Sequence, residues 1–134
     1  MKVTIYSFSY KRVLNGQIPC SNGGFLFDCR AMPNPFWDES LRKYNGCDDE
    51  IKNFFLRNDD IVKPFFDAIE RLVIFQIEAY KKLNYEHLQI AFGCTGGQHR
   101  SVYFAERLLA VVKKIPDIDV SVVHTAQAYW KPLW

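Results

Sequence analysis

Eight consecutive residues, Cys94-Thr95-Gly96-Gly97-Gln98-His99-Arg100-Ser101, gather a thiol, two hydroxyls, an imidazole and a guanidinium around two adjacent glycines. Glycine has no Cβ, so the backbone at Gly96 and Gly97 can turn sharply and approach a ligand closely. Thr95 and Ser101 supply hydroxyls. His99 supplies a donor, and a charge when protonated. Arg100 supplies a planar fork that matches phosphate or carboxylate. An apolar run, "HLQIAFGC", comes before this loop and an amphipathic one, "RSVYFAERLLAVVKKI", comes after it. The loop is therefore a strand-to-helix turn. The first turn of such a helix carries unpaired N–H groups and the positive end of its dipole, where anions bind readily. The residue types predict an anion site, phosphate first, on Thr95, Gly96, Gly97, His99, Arg100 and Ser101. The phosphate loop G-x-x-x-x-G-K-[ST] and the dinucleotide fingerprint G-x-G-x-x-G are both absent from this stretch.

A second cluster, Asp28, Arg30 and Asn34, lies at or just past the end of another strand, "FLFDCRAM". If that strand pairs beside the first one described, Arg30 is a second arm on an anion, and Asp28 and Asn34 bind hydroxyls or an amine. The competing reading of Asp28 and Arg30 is a structural ion pair.

Cys94 to Ser101 also fits C-x-x-x-x-x-R-[ST], the loop pattern of cysteine-dependent phosphatases. In that chemistry the thiolate of Cys94 attacks phosphorus from a helix N-terminus. Arg100 and the loop N–H groups hold the equatorial oxygens. Ser101 stabilises the thiolate, and Asp28 or Asp38 protonates the leaving group. Gly93 stands where those enzymes usually carry histidine. Binding module and phosphatase are thus the two function classes in competition.

The elements that must position these groups follow from periodicity and breakers. "KVTIYSFSY" alternates as a strand. "KRVLNGQIPCSNGG" is a loop, with turn signals at Asn15-Gly16 and Asn22-Gly23-Gly24. Pro33 and Pro35 carry the chain away from the second strand in an extended path, and a short helix is expected near Asp38 to Lys43. "DEIKNFFLR" is a short amphipathic helix. "DIVKPFFDAIERLVIFQIEAYKKL" is a long one, capped by Asp60, with Pro64 in its first turn. Its core face reads as Phe65, Ile69, Leu72, Val73, Gln76 and Tyr80. Pro116 ends the last helix, and "DVSVVHTA" is the last strand. The order β, β, α, α, β, α, β predicts an α/β fold: a small mixed sheet of about four strands, helices packed on it, and a parallel C-terminal β-α-β unit. Ligands in such folds bind beyond the carboxyl ends of the strands.

The chain of 134 residues has the size of one domain, and 49% apolar residues suffice for a core without disulfides or metal. The four cysteines form no C-x-x-C pair, so neither zinc nor any other metal or cofactor is expected. His87 and His124 read as surface or hydrogen-bonded residues. No run of about 20 apolar residues suggests a membrane span. The N-terminus does not read as a signal peptide, so a cytoplasmic location with reduced thiols is expected. A net charge of +2 gives no argument for nucleic acid. The basic pairs Lys11-Arg12, Arg42-Lys43, Lys81-Lys82 and Lys113-Lys114 read as solvated faces. The aromatic C-terminus, with Tyr129, Trp130, Leu133 and Trp134, either packs on its own core or forms a contact in a homo-oligomer.

"IAFGCTGGQHRSVYFAERL" closely resembles a hallmark of the C-terminal domain of the RapZ family, I-A-I-G-C-T-G-G-K-H-R-S-V-Y-x-A-E-x-L. "FDCRAMPNPFWDESLRKYNGCDDEI" resembles a second, F-D-V-R-x-L-P-N-P-x-W-x-x-x-L-R-x-x-[TS]-G-x-D, and "SFSYK" resembles S-F-G-[FY]-K. The motifs run in the same order from about Ser7 to Leu108. The resemblance implies a regulatory domain that senses glucosamine-6-phosphate, binds small RNAs and forms oligomers, next to a P-loop nucleotide-binding domain. Carried onto this chain, it implies ligand contacts from Thr95, Gly96, Gly97, His99 and Arg100, faced by Asp28, Arg30 and Asn34. Cys94 becomes a small buried residue. A P-loop domain, absent from this sequence, would come from a separate chain. Phe36 and Gln98 stand where the family often has histidine and lysine, which removes two cations. The basic C-terminal extension is replaced by "HTAQAYWKPLW". RNA affinity rests on phosphate neutralisation, so a small phosphorylated ligand is favoured over RNA.

Overall fold

The computed structural model describes residues 1–13 and 18–131. The Asn15-Gly16 turn, Leu133 and Trp134 lie outside the described residues. Four strands, β1 (Lys2–Ser9), β2 (Phe25–Asp28), β3 (His87–Cys94) and β4 (Asp119–His124), form one sheet in the order β2-β3-β1-β4. Three helices, α1 (Asp49–Arg57), α2 (Asp59–Lys82) and α3 (Arg100–Val112), complete the α/β fold.

The sheet is parallel throughout rather than mixed. Among the described residues β1 and β2 are separated by a single 3-10 turn, Tyr10–Arg12, and by no α-helix, yet β2 does not pair with β1. β2 lies instead on the far side of β3. The expected parallel C-terminal unit is present, with β1 lying between β3 and β4. Parallel strands buried on both faces read as continuous apolar runs. β3 accordingly buries Leu88 and Ile90 through Cys94, while the edge strands β2 and β4 are only half covered.

α3 packs against β1, β3 and β4, and α2 packs against α1 and α3. Phe104 of α3 is the centre of an aromatic core, with ring contacts to Phe55, Phe65, Phe66, Phe92 and Tyr103. α2 begins at Asp59, so Pro64 sits in its second turn, and no Asp60 cap forms: Asn58 holds the N-cap position. Asp59 and Asp60 instead place negative charge in the first turn, where the helix dipole favours it. The buried face of α2 is Val62, Phe66, Ile69, Val73 and Ile77. It is rotated from the face expected from the sequence, and Leu72 is exposed. α2 is apolar on more than one side, so periodicity alone cannot choose which stripe meets the sheet. Among the described residues no helix is long and apolar enough to cross a membrane.

An all-parallel sheet has one functional consequence. Every strand ends at the same rim, where Ser9 pairs with Cys94, Asp28 with Gly93 and Ser7 with His124.

Candidate functional site

The loop after β3 is held from three sides. The Ser9 hydroxyl donates to the Thr95 carbonyl at 2.7 Å, and the Lys11 N–H donates to the same oxygen at 3.3 Å. The Trp130 indole N–H donates to the Gly97 carbonyl at 2.7 Å. The Gln98 side-chain amide donates to the Arg42 and Tyr44 carbonyls at 3.2 and 2.9 Å, and its oxygen accepts from the Lys131 N–H at 3.0 Å. Gln98, read from the sequence as a lost cation, is thus a buried cross-link between two segments that flank the loop. Gly97 lies at φ +69°, a left-handed conformation, and a Cβ there would fall 2.8 Å from Ala126 Cβ and from Ser9 Cβ.

Around this loop is a cavity of about 340 Å³ lined by Ser9, Asn34, Phe36, Cys94, Thr95, Gly96, Gln98, His99 and Tyr129, with the cations Lys11, Arg12, Arg42, Arg100 and Lys131. No aspartate or glutamate is among its described lining residues. Two aromatic rings support the cations. The Arg42 guanidinium carbon lies 4.5 Å and the Lys131 ammonium 5.4 Å from the Phe36 ring centre, and the Arg12 guanidinium lies 4.2 Å from that of Tyr129. Phe36 therefore does not simply remove a cation from the rim. It positions two others.

The sequence-derived residues divide. Thr95, Gly96, His99, Arg100 and Asn34 line the cavity. Gly97 shapes the turn behind it. Ser101 is fully buried, and its hydroxyl lies 3.2 Å from Cys94 Sγ. Asp28 and Arg30 do not line the cavity; they pair with each other. Arg30 Nε donates to both Asp28 oxygens at 2.9 and 3.0 Å, and Nη2 donates at 2.7 Å. Arg30 also lies over the Tyr10 ring at 4.0 Å. That bonding to Arg30 holds the Asp28 carboxyl below its ordinary value. The Asp38 carboxyl is likewise lowered, by hydrogen bonds from Ser40, in a turn that it caps. Lys11, Arg12 and Arg42 are cavity residues that sequence reasoning left on solvated faces, and Lys131 is one to which it gave no role. The position of Lys11-Arg12 just past the carboxyl end of β1 was the available signal.

Arg100 is 5% exposed. Its Nη1 donates to the Arg30 carbonyl at 2.9 Å and to the Met32 carbonyl at 3.4 Å, which ties the segment after β2 to the N-terminus of α3. Cys94 is buried, and its sulfur accepts from the Gly97 N–H at 3.3 Å and the Ser101 N–H at 3.4 Å. His99 occupies the N-cap position of α3. Among the described residues its Nε2 is buried without a hydrogen-bond partner, a costly arrangement unless something else completes it.

Burial pushes the His99 imidazole below its ordinary value, although the nearby backbone of Tyr44, Arg42 and Leu41 pulls it back in part. The folded state therefore binds fewer protons at this site than the unfolded chain. Stability from this source is complete above about pH 6.5, the unfolded value, and is lost as the pH falls from there toward the folded value. Melting temperatures of wild type and His99→Gln, followed from about pH 7.5 to about pH 5, should show a smaller acid-side decline in the variant. Equal slopes would remove His99 from the pH response.

The sheet and site define a parallel α/β domain with a cationic cavity at the carboxyl rim, on a glycine turn that opens a helix. The family model described as the RapZ C-terminal domain matches residues 1–128, and the chain belongs to that family. It is 43% identical over 124 residues to a nucleotide-binding protein of Ruegeria sp. (strain TM1040), covering 92% of this chain and 39% of that protein. It is 39% identical over 108 residues to a nucleotide-binding protein of Halorhodospira halophila, covering 81% and 36%. A nucleotide-binding protein of Thermosipho melanesiensis is 50% identical over 84 residues, covering 63% and 30%. The chain thus spans well under half the length of these relatives.

Proposed function

We propose that the domain binds a small phosphorylated ligand, a phosphosugar such as glucosamine-6-phosphate, and acts as a regulatory sensor. The observation that carries this reading is the cavity charge: Lys11, Arg12, Arg42, Arg100 and Lys131 converge without a carboxylate in the described lining. The phosphate lies at the start of α3, where main-chain N–H groups and the helix dipole favour it. The orphaned His99 Nε2 gains a partner from the ligand. Ser9, Asn34 and Thr95 supply neutral oxygens for sugar hydroxyls or an amine. With no carboxylate in the described lining to face an ammonium group, the phosphate carries most of the affinity, and glucosamine alone binds poorly. The relatives' name, nucleotide-binding protein, fits a ligand with phosphate groups in the same chemical class.

A second reading, phosphoryl transfer from substrate to Cys94, is favoured by the contacts to its sulfur from Gly97, Ser101 and the Ser101 hydroxyl. It wants a proton donor for the leaving group. Asp28 and Asp38, the candidates for that role, are both held in the ionised form and neither lines the cavity. An assay with an aryl phosphate separates the two. The expected result is no steady release of phosphate, together with calorimetric binding of the phosphosugar that survives in Cys94→Ser within about threefold, since the residue offers the ligand no charge. Sustained turnover that disappears in Cys94→Ser would replace the sensor with an enzyme.

A further inference from the structure

On another part of the same rim, Cys47, Glu106 and His124 come together from the loop before α1, from α3 and from β4. Sequence spacing gave no hint of them, because they are far apart along the chain. One ligand atom from each lies within 4.8 Å of the others. Cys47 Sγ is 3.6 Å from Glu106 Oε1, and His124 Nε2 is 2.7 Å from the same oxygen. We propose that this cluster is a binding site for a borderline-soft divalent cation, zinc in the first instance, with a thiolate, an imidazole and a carboxylate as ligands.

The donor set selects the metal class. Zinc takes sulfur, nitrogen and oxygen ligands together, and three protein ligands leave a fourth position for water or a partner. Magnesium and calcium require oxygen donors and are poorly served by a thiol and an imidazole. The surroundings are those of a ligating histidine. His124 Nδ1 lies 2.6 Å from Ser7 Oγ, so the ring orientation is fixed from behind while Nε2 faces Glu106 and Cys47. Ser7 is 0% exposed, which leaves its hydroxyl an orienting group and not a nucleophile. Trp130 packs against the His124 ring with centroids 5.5 Å apart. The Cys47 loop is also fixed: Cys47 N–H donates to Asn45 Oδ1 at 2.8 Å, and Gly46 N–H donates to the Gln98 carbonyl at 2.8 Å. Cys47 itself is exposed, so a cation has an approach from solvent.

Binding balances simply. The Cys47 S–H proton leaves to solvent as the metal–sulfur bond forms. The proton between His124 Nε2 and Glu106 Oε1 in the metal-free contact is displaced as the metal takes the Nε2 lone pair, and the neutral ring then carries its N–H at Nδ1, hydrogen-bonded to Ser7 Oγ. Glu106 exchanges its hydrogen-bond partners for the cation.

Cobalt(II), which reports thiolate ligation by an intense near-ultraviolet charge-transfer band, is the probe. Titration of the purified chain should give that band with one equivalent of cobalt, and one equivalent of zinc should abolish it. Cys47→Ser, an exposed substitution, should fold normally and lose the band, with zinc affinity reduced on the order of 100-fold or more, beyond what loss of an outer partner costs. Glu106→Gln should keep the band and weaken zinc. Cys20→Ser should change neither. No band in wild type, a band that survives in Cys47→Ser, or a band lost in Cys20→Ser would each overturn the assignment and leave the Glu106–His124 pair a structural contact between α3 and β4.

Discussion

Arg100→Ala should abolish the stabilisation that a phosphosugar gives the wild-type protein. At about one hundred times its dissociation constant a ligand that binds only the folded state stabilises it by roughly 2.7 kcal/mol, several degrees of melting temperature for a domain of this size. In the variant that shift should vanish. The unliganded protein should also lose about 1.5–3 kcal/mol, because the Arg30 and Met32 carbonyls lose charge-assisted hydrogen bonds in a mostly buried setting. The two effects are separable, since each melt is compared with its own unliganded control. Arg30→Ala is the useful contrast. Arg30 is exposed, paired with Asp28 and outside the cavity, so its ligand-induced shift should match wild type. If Arg30→Ala loses the shift and Arg100→Ala keeps it, the ligand lies on the Asp28 side of the rim and the cavity is not the site.

Gly46→Ala should be among the most damaging single-methyl additions in the protein. A Cβ at position 46 would fall 2.4 Å from the Tyr103 nitrogen and 2.6 Å from the His99 oxygen. Those two atoms form the N–H to carbonyl bond that closes the first turn of α3, at 3.0 Å. Both are backbone, so neither can swing aside. Either the loop lifts off α3 or the first turn opens, and a loss of about 3 kcal/mol or more is expected from chemical denaturation. Either movement also displaces His99 and the Gln98 cross-link, so phosphate binding should weaken in whatever fraction remains folded. A loss under about 1 kcal/mol would mean that the loop before α1 is free to retreat and does not brace the site.

What was legible in the sequence was local chemistry. The apolar run through Cys94, the glycine turn and the polar start of α3 specify their own conformation, and Thr95, Gly96, His99 and Arg100 line the cavity. Asn34 joins them because the segment after β2 crosses the same rim. What was not legible depends on which strand neighbours which. Lys11, Arg12, Arg42 and Lys131 come from three distant segments; the first three look like solvated charge in the sequence and Lys131 is a lone lysine in an aromatic tail, and only the fold brings the four together. Asp28 and Arg30 had two readings, and geometry separates them. They stand two residues apart and close on each other, with the Arg30 N–H also donating to Asp28 Oδ1 at 2.9 Å. The Cys47, Glu106 and His124 cluster had no sequence signal, because no spacing rule covers ligands drawn one each from a loop, a helix and a strand.

The most direct test of the sensor assignment is calorimetric titration of the wild-type chain with glucosamine-6-phosphate, inorganic phosphate and glucosamine in turn. The account predicts that the sugar phosphate binds one to one and more tightly than phosphate, with glucosamine showing no measurable heat. Failure of both phosphate compounds to bind, or tighter binding of glucosamine than of either, would contradict a phosphate site at the start of α3.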